Sequence, residues 1–176
     1  MAFLSFKNND LMTVSDALDI AEDATGNFYK FSLGQWKRHR YEVKTMPSLD
    51  GNEISKHAFA MLNKCSRIGD GFEPKTKDRD YYFICLQDHM ILKALRRDKE
   101  INLLPLLVYV FTHELVHIVR FCSFCQRFEV EGKEKDKEET VVHGKTYDIL
   151  EDLSLPNLDY VLDKYQDHRV CDMFFS

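Results

Sequence analysis

The chain has 176 residues, 44% of them hydrophobic and 30% charged, which suits one globular domain with a sizeable core. Its 24 basic and 29 acidic residues leave a net charge of −5, which speaks against nucleic-acid binding by phosphate neutralisation. Five scattered cysteines and the lack of a signal-type apolar stretch near Met1 point to a reduced, cytoplasmic protein rather than a disulfide scaffold.

Taken in chain order, Ser15 to Thr25 reads as a short helix stopped by Gly26. Phe28 to Thr45 is rich in aromatic and β-branched residues and suggests one or two strands. Within it Lys37, Arg38, His39 and Arg40 form a basic cluster, read as a solvated face. Asp50-Gly51 marks a turn, and Glu53 to Ile68 reads as a second helix ended by Gly69. Asp70 to Asp80 is a polar loop. Tyr81 to Leu86 is the best strand, and it is a candidate to pair with an extended peptide by strand addition. Asp88 to Lys99 is helical in pattern, with a second basic cluster at Lys93, Arg96 and Arg97 that also reads as solvated.

A long apolar helix follows, over Leu103 to Val119, with Asn102 as its cap and Pro105 in the first turn. Its longest unbroken apolar run is only about nine residues, so it reads as a buried core helix and not a membrane span. Inside it stands His113-Glu114-Leu115-Val116-His117. Histidines four apart on a helix project from one face and can share a zinc ion. Glu114 sits beside them, off the ligand line, where a general base for a metal-activated water belongs. The pattern arises by chance in on the order of one or two such chains in a hundred. Burial decides the matter in favour of a metal site, because buried imidazoles need partners and one cation serves both.

Cys122 and Cys125 form a lone C-x-x-C, read as structural thiols. Glu129 to Glu139 alternates acids and lysines and reads as a solvated loop or insertion. His143 to Leu153 is helical, Pro156 stops it, and a short helix covers Leu158 to Tyr165. The remaining histidines, His39, His57, His89 and His168, sit singly in polar contexts and read as surface or hydrogen-bonded residues.

A catalytic zinc keeps three protein ligands and one open position. Downstream of His117 the candidates for the third are His143 and the adjacent acids Glu138 and Glu139. His113-Glu114-x-x-His117 followed by His143-Gly144-x-x-Tyr147 resembles the SprT-like and related small zinc metallopeptidases. The likeness covers Leu103 to Leu153. It implies His113, His117 and His143 as zinc ligands and Glu114 as the catalytic acid/base. Tyr147 corresponds to the aromatic of the second motif and is a candidate to stabilise an oxyanion. A glutamate as third ligand, Glu139 or Glu138, is the alternative arrangement. The gap between His117 and His143 is long for the resemblance, and the basic tail of DNA-associated members is missing.

The expected architecture is therefore a helix-rich α+β single domain spanning 1–176, with a small sheet beside a buried H-E-x-x-H helix, zincin-like in plan. The expected activity is zinc-dependent hydrolysis of a peptide or protein substrate. The alternative is a non-proteolytic metal-binding domain that serves a regulatory protein partner.

Overall fold

The computed structural model describes residues 2–32, 34, 36, 40–66, 80–122, 131–165 and 171–175. Along them run α1 (Asn8–Tyr29), β1 (Arg40–Lys44), β2 (Ala60–Ser66), β3 (Asp80–Leu86), α2 (Asp88–Arg97), α3 (Leu103–Cys122), α4 (Lys133–Leu150), α5 (Leu158–Tyr165) and β4 (Cys171–Phe175). The class is α+β.

Helix α3 is the axis of the core. α1 packs against it most heavily, and α4, α5 and β2 cover other sides. Enclosure on several sides explains a helix that is apolar nearly all round: every residue from Pro105 to Val119 is buried. By length and composition α3 could cross a membrane, yet 83% of its most apolar window lies inside the protein. Pro105 falls in the first turn, where no helical acceptor waits for its missing N–H, and the Asn102 carbonyl takes the Leu106 N–H.

The sheet is mixed, in the order β1-β3-β2-β4. β3 pairs parallel with β1 and antiparallel with β2, while β4 joins β2 in parallel. Tyr81 to Leu86 thus forms the expected strand, but it is an inner one. Both its edges are already hydrogen-bonded, so it cannot take a peptide by strand addition; the sheet edges are β1 and β4.

Three expected elements are corrected. Glu53 to Ile68 is not a helix: a 3₁₀ turn, Gly51–Glu53, is followed by β2. The short apolar run Ala58 to Leu62 fits either period, and the tie is broken by β3, whose backbone needs a partner along that edge. The acidic and basic run before Glu139 is not a solvated loop from Lys133 onward, because α4 begins there. Lys and Glu are good helix formers, and Glu138, Val142, Thr146 and Ile149 line up at helical spacing as a buried stripe. Gly26 does not stop α1. The helix runs to Tyr29 and ends at Lys30 in the left-handed region, φ 56°. Gly26 is small for a packing reason, since a Cβ there would lie 2.9 Å from the Trp36 Nε1. Strand β4 was not anticipated.

Candidate metal centre

The spacing in α3 puts His113 and His117 on one face, and their Nε2 atoms lie 3.2 Å apart. Glu139 and His143, also four apart, face them from α4. The Glu139 carboxylate spans the pair, with Oε1 3.1 Å from His117 Nε2 and Oε2 3.3 Å from His113 Nε2. His143 Nε2 is 4.0 Å from Glu139 Oε2, and its ring centroid lies 4.7 Å from that of His113. Three of these groups gather closely, and His117 touches two of them, His113 and Glu139. His113, Glu139 and His143 alone already offer ligand atoms within 4.8 Å of one another.

Bonds of about 2.0–2.1 Å around a tetrahedral zinc imply donor–donor edges of roughly 3.3–3.4 Å. The three contacts among His113, His117 and Glu139, 3.1 to 3.3 Å, are of that length, those to Glu139 being divided between its two oxygens. The residues present fit a zinc ion.

Protonation fits as well. Burial holds the His113 ring down at about 4, against the partial upward pull of Glu139. Glu139 is itself held well below the usual carboxylate range: burial pushes it up, but the hydrogen bonds of His113 and His117 outweigh that. At neutral pH the set is a carboxylate with a neutral His113 beside it, the state in which such groups bind a cation. The α3 histidines are fully buried, whereas the Glu139 and His143 side chains keep 14% and 12% exposure. What solvent access the cluster has is on the α4 side.

Of the expected site residues, His113, His117, His143 and Glu139 come together. Glu138 does not join them. It faces away, into a two-pronged ion pair with Arg120 of α3 (2.5 and 2.9 Å), and serves to clamp α4 onto α3. Nor is it the solvent-exposed acid that its charged neighbourhood suggested, for it is 3% exposed. Glu114 is fully buried beside His113. Its charge reaches β3: burial pushes the Cys85 thiol up to about 12, with Glu53 and Glu114 adding to the shift. Tyr147 is 40% exposed, with no hydrogen bond to the cluster among the described residues.

One participant escaped notice in the sequence. The Tyr109 hydroxyl lies 2.9 Å from His143 Nδ1. The signal was there, a phenol four residues ahead of His113 on the same stripe of α3.

The other candidates are accounted for. His89 Nε2 meets the Ser55 carbonyl at 2.9 Å, and His57 is exposed. Cys122 is half-buried and in no disulfide among the described residues. Cys125, His39 and His168 lie outside the described residues, as do Lys37 and Arg38. Lys93 and Arg97 do more than face solvent. With Lys164, Phe59, Met90 and Tyr165 they line a cavity of about 230 Å³. In comparisons with known proteins, no family model, no curated protein and no solved structure matches this chain.

Proposed function

We propose that the chain is a zinc-dependent peptidase of zincin-like plan, acting on a peptide or protein substrate. The observation that carries this reading is the gathering of His113, Glu139 and His143, with His117 against two of them, on the helix that also carries the buried Glu114. His113 and His117 would hold the metal from α3, with one of the α4 pair, His143 or Glu139, as the third ligand and the fourth position left for water. Zinc bound there supplies Lewis acidity, which makes water acidic near neutral pH and polarises a carbonyl group. Glu114 accepts the proton from the attacking water and returns it to the leaving amine. Substrate enters from the α4 side, where Glu139 and His143 meet solvent. The test is Glu114→Gln: full metal content with peptide cleavage reduced at least about a hundredfold supports the assignment. Undiminished cleavage rejects it.

A second reading rests on the number of donors. If Glu139 and His143 both bind, the four positions of a tetrahedral ion are filled and none remains for water. Such a closed centre belongs to a metal-stapled binding domain with a protein partner. Digestion of casein and a peptide library separates the readings, since a stapled domain leaves every substrate intact. Cobalt substitution adds an independent check, because its visible spectrum differs between three protein donors plus water and four protein donors.

A further inference from the structure

We propose that Tyr109 is a positioning residue for this centre, which fixes His143 in one tautomer and so makes its Nε2 a metal donor. The inference rests on the zinc reading above for its purpose but not for its geometry. The Tyr109 hydroxyl has one proton. The Tyr165 carbonyl, 3.1 Å away, can only accept, so the phenol proton goes there. Toward His143 Nδ1, at 2.9 Å, the phenol oxygen is then left to accept, and Nδ1 must carry the hydrogen. A neutral imidazole has a single N–H. Its other nitrogen, Nε2, therefore presents a lone pair on the side where Glu139 and the α3 histidines gather. The 4.0 Å separation from Glu139 Oε2 is longer than a hydrogen bond, so that contact does not draw a proton onto Nε2. Tyr109 is only 2% exposed and bonded to a backbone atom, which keeps its oxygen in place beside Nδ1. A hydrogen-bond acceptor behind a ligating histidine is how proteins orient such rings and raise their basicity.

The experiment uses the full chain, metal-free and zinc-loaded, as wild type and Tyr109→Phe. Long-range proton–nitrogen NMR on the metal-free protein near pH 8 reads the tautomer, with His143→Gln used to assign the signals. Wild type should show His143 protonated on Nδ1, and Tyr109→Phe should shift it toward Nε2. Zinc affinity should fall about 10–100-fold in the variant, with the fold retained, because only a hydroxyl is removed. A wild-type His143 protonated on Nε2 overturns the proposal, as does a Tyr109→Phe protein with unchanged tautomer and affinity. Failure of wild type to bind zinc, with the Nδ1–H tautomer present, sinks the functional reading and leaves the Tyr109–His143 lock standing.

Discussion

The start of α2 and the middle of α3 both bury polar side chains completely, and they satisfy them in opposite ways. Gln87 and Asp88 are tied to backbone: Gln87 accepts the Ser55 N–H (2.8 Å) and donates to the Glu53 and Cys85 carbonyls. Asp88 accepts the N–H groups of Phe6 and Met46, at 2.9 and 3.1 Å. All but the bond to the Cys85 carbonyl pin a distant segment to the head of α2. In the α3 cluster the near neighbours are side chains, two imidazoles and a carboxylate crowded around each other, with a third imidazole behind. Burial costs each of these groups its hydration, so they depend on one another, or on a ligand, for partners. Backbone-bound polar groups hold a fold together, while the α3 and α4 side chains face one another, the arrangement on which the zinc proposal rests.

The largest effect that would break this contrast is loss of an α3 histidine. A buried protein zinc site is worth on the order of 10–16 kcal/mol, and an even share over four donors is roughly 3 kcal/mol, or a few hundredfold in affinity. His113→Ala and His117→Ala should each weaken zinc by about that factor while the protein still folds. Elemental analysis after dialysis, beside titration with a chromophoric chelator, measures it. Wild-type zinc content in both variants would reduce the cluster to an ordinary core.

Asp88→Ala should do the reverse. It strands the Phe6 and Met46 N–H groups and should cost about 2–4 kcal/mol of stability in urea unfolding, with zinc content unchanged. A loss of metal in this variant would show the two clusters to be coupled and spoil the division between them.

Arg120→Met tests the clamp between the helices. It leaves the Glu138 carboxylate, 3% exposed, without its partner. A fully buried pair would lose more, but Arg120 keeps 18% exposure, so about 2 kcal/mol is expected. Because Glu138 precedes Glu139, zinc affinity should also drop, by about tenfold or less, without the tautomer change expected of Tyr109→Phe. Double substitution with Glu138→Leu should restore stability and leave the affinity loss in place.

How these regions read from sequence differs for the same reason. The α3 cluster announced itself because its chemistry is local: one helical turn carries both histidines, and a second carries Glu139 and His143. Even so, the motif resemblance favoured His143 over Glu139, whereas in space Glu139 is the nearer to both α3 rings. That choice depends on how α4 is rotated, which Arg120 and Glu138 set across 18 residues of sequence. The Gln87–Asp88 node was invisible, because its partners other than the Cys85 carbonyl lie 32 to 82 residues away, and all are backbone atoms that any residue could supply. The strand β2 was misread because Ala58 to Leu62 is too short to show a period, and only its pairing with β3 decides the matter.

Acidification offers the mildest and most selective test. In the metal-free protein His113 titrates at about 4 when folded, against 6.5 for an unhindered ring. Between those values the unfolded chain binds a proton that the folded chain refuses, so stability is lost as pH falls through that window. From pH 7 to 5.5 the loss should be about 1 kcal/mol, read from urea midpoints. Asp88 has the opposite sign. Its carboxyl is raised above the usual value, by burial first and against its backbone N–H bonds, so it favours folding at low pH and loses that contribution as pH rises. His113→Gln should therefore flatten the decline between pH 7 and 5.5, while Asp88→Asn should leave it in place. Zinc in excess should deepen the decline in wild type, since the metal must now be displaced by protons. If His113→Gln keeps the full wild-type slope, the buried imidazole is not the group that resists protonation. The case for a neutral, metal-ready cluster then loses its electrostatic half.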